Sequence, residues 1–183
     1  MTVKTRLLAL TSAAALALTL AACTATPAPD ATATDTPAPT AAPVVAEGAC
    51  ADDAGVTLQV DSSALEGGSV AEWCRTTGEA IAVTDLLDDA GVVVEGTAEF
   101  ADFICRVNDL PSAEAPLGST EDPDYVESCE STPPAFGYWA MWVKPAGGEW
   151  AYAEEGLATL TAQPGESIGL LFTLDGAPAA PTS

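Results

Sequence analysis

The chain has 183 residues, of which 27 are acidic, 5 are basic and none is histidine, so its formal net charge is −22. A surface this acidic repels phosphate backbones, which excludes a nucleic-acid-binding protein. Without histidine no Ser–His or Cys–His catalytic pair is available, and we expect a protein that is not an enzyme.

The N-terminus has the pattern of a secretory signal peptide. Lys4 and Arg6 precede an apolar run over residues 7–20, and two small residues follow. The cysteine that comes next, in Leu20-Ala21-Ala22-Cys23, resembles the bacterial lipobox. This resemblance implies that residues 1–22 are removed and that Cys23 is lipid-modified. An uncleaved membrane anchor is the alternative, but the run is shorter than the ~20 residues of a span. We expect a lipid-anchored protein on the extracytoplasmic face of the cell membrane.

Composition divides the rest of the chain. Beyond Cys23 three basic residues stand against 27 acidic ones, a net charge of −24 that repels anionic lipid, so the acyl chains must supply the attachment. Residues 23–48 are rich in Ala, Thr and Pro, which predicts a disordered tether. Residues 49–174 are long enough for one domain with a core. The Pro- and Ala-rich residues 175–183 predict a disordered tail.

Four cysteines follow Cys23, an even number that suits an oxidising compartment. Zinc binding is the alternative, but no two of them have a C-x₂₋₄-C spacing and histidine is absent. The sequence permits three disulfide connectivities. Local pairing is the simplest, because Cys105 ends a predicted strand and Cys129 closes a polar loop. We therefore predict the disulfides Cys50–Cys74 and Cys105–Cys129.

Hydrophobic periodicity predicts one helix among strands. Apolar residues at i, i+3, i+4 and i+7 over 83–90 predict a short helix, with Thr84 placed to cap it and Gly91 after its end. Residues 110–132 are polar and predict a long loop. Strands are predicted at 56–61, where one face is half-buried, and at 92–94, 103–107, 138–144, 149–153 and 168–174. The order indicates an α+β fold, with one short helix on a mostly antiparallel, disulfide-stapled sheet.

Aromatic residues cluster between Phe136 and Tyr152, around a predicted hairpin. Period two places Tyr138 and Trp142 on one face of their strand and Trp139 on the other. A single helix needs to cover only one face of the sheet. Tyr138 and Trp142 are therefore candidate ligand- or partner-binding residues, together with Trp150 and Tyr152 across the hairpin. Ordinary packing is the alternative, and we expect it for Trp139.

Two acidic runs, at residues 88–89 and 121–124, are candidates for attracting Ca²⁺. Neither matches the EF-hand loop, and solvated surface explains both. We therefore predict no metal site and no cofactor.

The element order also resembles a known family. The segments that carry the likeness are Cys105-Arg106-Val107-Asn108-Asp109-Leu110-Pro111, Tyr138-Trp139-Ala140-Met141-Trp142 and Pro164-Gly165-Glu166. They resemble the domain of unknown function 4430 family (DUF4430), which is related to the C-terminal β-domain of transcobalamin and intrinsic factor. The likeness is closest to small actinobacterial secreted proteins with a YWSYW-like segment.

This resemblance covers roughly residues 55–174 and implies a β-grasp-like fold. It further implies a protein that captures a vitamin-like small molecule outside the cytoplasm and assists a membrane transporter. We expect this protein to be a monomer. The loop after Leu110 and the large negative charge depart from the family, and no histidine is available to ligate the cobalt of a corrinoid. The alternative function is a structural or protein-interaction lipoprotein without a small-molecule ligand.

Overall fold

The computed structural model describes residues 45–176 and 180–182. The predicted signal peptide, the lipidation site at Cys23 and most of the predicted tether lie outside the described residues, and those predictions stay predictions. In the described part no helix is long and apolar enough to cross a membrane. The elements follow in chain order as β1 (Val45–Glu47), β2 (Gly55–Asp61), β3 (Val70–Thr76), β4 (Ile81–Ala82), α1 (Val83–Asp89), β5 (Val94–Gly96), β6 (Ile104–Val107), β7 (Gly137–Lys144), β8 (Ala151–Tyr152), β9 (Thr161–Ala162) and β10 (Ser167–Leu174).

Six of these strands form one sheet in the order β1-β3-β2-β10-β7-β8. The central strands β2 and β10 are parallel, and the other neighbours in this sheet are antiparallel. Two small pairs, β4 with β9 and β5 with β6, lie outside it. The predicted α+β class, with one short helix and a mostly antiparallel sheet, is confirmed.

The core lies between α1 and one face of the sheet. The helix contributes Val83, Leu86 and Leu87, and the spacing of these apolar residues explains why this segment is helical. They pack with inward residues of the central strands, among them Leu58 and Leu170, which are fully buried. The ion pair between Arg75 of β3 and Asp89 of α1, 3.0 Å long, joins the helix end to the sheet. The predicted helix is thus confirmed.

Its predicted cap is wrong. The N-cap residue is Ala82, no side chain caps the helix, and Thr84 lies inside it. The Val83 N–H instead donates to the Leu160 carbonyl at 3.0 Å. A backbone acceptor thus takes the place of the expected hydroxyl. Gly91 follows the helix with φ +69°, as expected for a residue just beyond a helix end.

The other face of the sheet is also covered, so the prediction of a half-buried strand at 56–61 is wrong. Thr57 and Gln59 point away from the helix, yet they are only 8% and 2% exposed. Trp150 and Pro181 lie over Gly169 of the neighbouring strand, where an added Cβ would be 2.8 Å from the Pro181 ring. Glycine is required there because no side chain fits beneath these two rings.

The described part of the C-terminal tail is held in place, which corrects the predicted disorder. The Asp175 carboxylate accepts hydrogen bonds from the Ser119 hydroxyl and the Thr120 N–H. Pro181 is buried. Composition alone hid this, because the contacts of Asp175 come from a loop distant in sequence and Pro181 is held by its burial.

The N-terminal boundary of the domain also differs from the prediction. Residues 45–47, assigned to the tether, form β1 and pair with Trp73–Arg75 of β3. The Gly48 N–H then donates to the Glu72 carbonyl at 2.8 Å. These three residues form a strand because the edge of β3 offers unpaired backbone N–H and carbonyl groups, although their own sequence does not predict one.

Both predicted disulfides are present. Cys50 is bonded to Cys74, with 4.7 Å between the Cα atoms, and Cys105 to Cys129, with 5.5 Å. Residues 110–132 contain no helix or strand, as predicted. The strands predicted at 92–94 and 103–107 are shifted to β5 and β6. Val92 is withdrawn from the strand because its N–H donates to the Leu87 carbonyl at the helix end.

Candidate functional site

Trp139 belongs to the core, as predicted. It is 6% exposed, and its ring meets Phe172 edge to face with centroids 5.4 Å apart. Its indole N–H donates to the Leu110 carbonyl at 3.1 Å, which satisfies the polar atom of a buried tryptophan. This bond also attaches the long polar loop to β7.

Trp142 is equally buried, at 6% exposed, so the prediction that it faces a ligand or partner is wrong. The hairpin places Tyr152 directly opposite Trp142 in the β7–β8 pairing. The two rings stack with centroids 4.0 Å apart and planes inclined by 23°. Tyr152, which is 47% exposed, therefore presents the outer aromatic surface, and Trp142 supports it from beneath.

Tyr138 and Tyr152 meet through their hydroxyl groups. Partial burial, followed by the hydrogen bond with Tyr138, raises the pKa of Tyr152 to about 12, so its phenol stays neutral at a pH where an ordinary tyrosine ionises. Three of the four predicted binding residues are therefore adjacent. Trp150 lies over Gly169, which pairs with Trp142 in the β10–β7 register, and the Lys144 ammonium is 5.7 Å from its ring centroid.

Beside this cluster the pairing of β7 with β8 comes to an end. Val143 pairs with Ala151, and the Ala153 N–H donates to the Met141 carbonyl at 2.9 Å. The next hydrogen-bonded pair in this register would join Trp139 to Glu155. The chain turns away there instead, and brings Gly156 against the side chain of Asp102.

The space opened by this divergence is a groove of about 270 Å³, which we call the edge groove. Its floor is the edge of β7, and its walls come from the segment after β8 and from the segment leading into β6. Its lining residues are Tyr138, Trp139, Ala140, Met141, Tyr152, Ala153, Glu155, Gly156, Leu157, Asp102, Phe103 and Ile104.

The polar groups of the edge groove are mostly acceptors. Peptide groups alternate in direction along a strand, so the Trp139 carbonyl and N–H point to the same side as the Met141 carbonyl, into the edge groove. Neither has a backbone partner among the described residues. The carboxylates of Asp102 and Glu155 are exposed at the rim. No lining residue in the described part is basic.

An exposed phenylalanine pair extends the aromatic surface. Phe103 is 51% exposed and lines the edge groove, and Phe100 is 48% exposed beside it, with ring centroids 5.7 Å apart. The sequence predicted only a strand at 103–107 and did not single out either ring as exposed. Their position before a strand, next to Asp102, gave no signal of exposure.

Two larger clefts offer fewer orienting groups. One of about 400 Å³ lies between residues 65–67 and 110–117, where Glu66 is the charged group and the remaining lining is largely aliphatic. Another of about 370 Å³ follows the edge of β3 beside Glu47 and Glu72. Neither combines several aromatic faces with convergent acceptors, as the edge groove does.

The polar loop is organised by Arg106, a residue whose role sequence reasoning missed. Its side chain is buried, and its guanidinium donates to the Pro111 and Glu127 carbonyls and to the Glu95 carboxylate. A signal was available, because Arg106 is one of three basic residues beyond Cys23 and adjoins a cysteine. Its place in the fold is structural, away from the edge groove lining.

Several residues that could ligate a metal ion already have other partners. Cys105, Glu127 and Cys129 lie close enough to share an ion, but the two sulfur atoms are bonded to each other and are not thiolates. In the acidic run at 88–89, Asp89 is paired with Arg75.

Comparison of the chain with protein-family models, with curated proteins and with solved structures gives no match.

Proposed function

We propose that this protein is a lipid-anchored, extracytoplasmic binding protein that holds a small molecule in the edge groove. The observation that carries the proposal is the opening between Trp139 and Glu155, where strand-edge peptide groups and aromatic faces converge on one space. A cleft that combines apolar walls with a few polar groups is the usual form of a ligand site. Anchoring at Cys23 rests on the lipobox resemblance.

The size of the edge groove limits the ligand. Sites for drug-sized molecules occupy roughly 300–1,000 Å³, and about 270 Å³ is available here. A corrinoid is far larger than this space. The groove suits a compact molecule. The family resemblance implies a vitamin-like cargo and a transporter partner, and this cargo fits the groove only if it is small.

We infer a β-grasp-like fold from the strand order. The first hairpin, β2 and β3, precedes the helix, and the last strand, β10, lies parallel to β2 at the centre of the sheet with β7 antiparallel beside it. This arrangement supports the likeness to the DUF4430 family. It also explains the position of the edge groove, because a short β8 leaves the outer side of β7 partly unpaired.

A protein-interaction role is the second candidate. Phe100 and Phe103 expose about half of their surfaces and lie against each other. Exposed aromatic pairs are typical of surfaces that contact another protein. This role needs the two phenylalanines and does not need the edge groove, so the two functions separate by mutation.

The test of the small-molecule proposal uses the full-length protein in neutral detergent and backbone amide NMR. A mixed set of neutral, anionic and cationic compounds of up to about ten heavy atoms is the probe. We expect at least one compound to shift amides at residues 138–141 and 152–157. Ala153→Phe, which fills the edge groove, abolishes these shifts, whereas Ala158→Phe, on the exposed part of the same segment, preserves them.

Absence of such shifts for every compound contradicts a small-molecule site.

The anchor is tested separately by labelling with a palmitate analogue. Cys23→Ser removes the thiol that the lipobox resemblance identifies, so we expect the label to be lost. Equal labelling of both proteins contradicts lipidation at Cys23.

A further inference from the structure

The charges around the edge groove are of one sign. Asp102 and Glu155 line it, and Glu154 is exposed next to it. Among the described residues no lysine or arginine contributes to the lining. The chain as a whole carries −22, so the long-range field also concentrates cations and repels anions.

The aromatic walls add attraction of the same kind. Tyr138, Tyr152 and Phe103 border one space from different sides, and the faces of aromatic rings attract cations through their quadrupole. Tyr152 is held by its stacking on Trp142 and by its hydrogen bond with the Tyr138 hydroxyl. A ring fixed in this way binds without first losing rotational freedom.

The floor provides an acceptor. The Trp139 carbonyl points into the edge groove without a backbone partner in the described part of the chain. Its position between the aromatic walls suits an N–H donor, such as an ammonium group, or the electropositive methyl groups of a quaternary ammonium ion.

We infer that the ligand of the edge groove is a compact organic ammonium ion. Its charged nitrogen lies against Tyr138 and Tyr152, within reach of Asp102 and Glu155, and its carbon body contacts Phe103 and Leu157. This inference rests on the proposed function, because it assigns a ligand class to the same groove. Anionic molecules are excluded by the rim, and neutral ones forgo both the carboxylate and the aromatic attraction.

The test compares two molecules of almost the same shape and opposite electrostatic character. Choline is the cation, and 3,3-dimethyl-1-butanol is its neutral isostere. Each is titrated into the full-length protein in neutral detergent while backbone amide shifts are followed. We expect choline to shift the amides of residues 138–141 and 152–157, with a dissociation constant at least tenfold lower than that of the alcohol.

Two substitutions separate the contributions. Glu155→Gln removes one rim charge and should weaken choline binding at least threefold without changing the binding of the alcohol. Tyr152→Leu keeps apolar contact but removes the aromatic face, and should weaken choline binding more than Glu155→Gln does. Glu79→Gln removes an exposed charge far along the chain from the edge groove and serves as the matched control, with no expected effect.

The outcomes are distinguishable. Equal affinity for choline and the alcohol at the groove amides overturns the cation inference and leaves the binding function standing. Choline shifts scattered over the acidic surface, with equal effects of Glu155→Gln and Glu79→Gln, also overturn it. If neither molecule shifts the groove amides, while a neutral or anionic compound of the mixed set does, the ligand class is wrong and the site is right; if an organic ammonium compound of that set does, the ligand class stands. If none does, both proposals fail.

Discussion

Replacing Arg106 with methionine should destabilise the domain severely. The substitution keeps the length and much of the packing of the side chain but removes every donor. Two buried partners, the carbonyl groups of Pro111 and Glu127, lose their hydrogen bonds. The Glu95 carboxylate also loses its ion pair with the guanidinium.

The magnitude follows from these losses. Each of the two buried carbonyl groups left unsatisfied costs about 1–3 kcal/mol, so the two together cost about 2–6 kcal/mol. We expect about 3–5 kcal/mol for Arg106→Met. For a domain of this size each kcal/mol lowers the melting temperature by about 4 °C, so the expected decrease is about 12–20 °C.

Urea unfolding without reductant measures this change, because both disulfides stay intact. Glu95→Gln is the matched control. It removes the one partner of Arg106 that is substantially exposed, since the Glu95 side chain is 54% accessible, and exposed ion pairs contribute about 0–1 kcal/mol. A loss below about 1 kcal/mol in Arg106→Met, or a loss equal to that of Glu95→Gln, refutes the assignment of Arg106 as the organiser of the loop.

Three further outcomes are expected. Trp142→Ala should cost about 3–5 kcal/mol in thermal unfolding, because the ring is buried beneath Tyr152; a loss under about 1 kcal/mol contradicts that burial. Burial and the hydrogen bond to the Glu127 carboxylate raise the pKa of Tyr125 to about 12. The neutral phenol therefore contributes fully to the free energy of unfolding below pH 10, and this contribution is lost between pH 10 and 12. Tyr125→Phe should flatten that part of the stability curve in urea titrations, and an unchanged slope contradicts it. Hydrogen bonds from Ser119 and Thr120 lower the pKa of Asp175 below 3.8. The ionised carboxylate therefore stabilises the fold above that pH, and this contribution is lost in more acidic solution. Asp175→Asn should reduce the acid dependence of the melting temperature in melts recorded from pH 5 downwards.

Local patterns predicted the elements that local chemistry determines. The helix followed from the spacing of Val83, Leu86 and Leu87, and β10 followed from alternating apolar residues. Local pairing of cysteines succeeded because the polar loop returns Cys129 to Cys105. In each case the information lies within a window of residues that contact one another.

The missed features depend on distant partners. β3 does not alternate cleanly because Arg75 lies on the helix side of the sheet, opposite Val56, where it pairs with Asp89. Period two correctly separated Trp139 from Trp142, but it gave no hint that Tyr152 covers the second ring. The sequence therefore identified the aromatic segment of the candidate site, whereas the opening after Ala153 and the exposure of Phe103 follow from where the chain turns in three dimensions.

The way the chain enters the sheet has a mechanical consequence. A pull on residues before Val45 loads β1 first, and its three-residue pairing with β3 peels at low force. Peeling stops at Cys50, because its covalent bond to Cys74 passes the tension into β3, which pairs along its whole length with β2. Four strands separate β1 from β8, so the edge groove lies five strand spacings away, about 24 Å. Tension on the N-terminal segment is therefore carried at one border of the sheet, while the aromatic groups at the opposite border keep their shape.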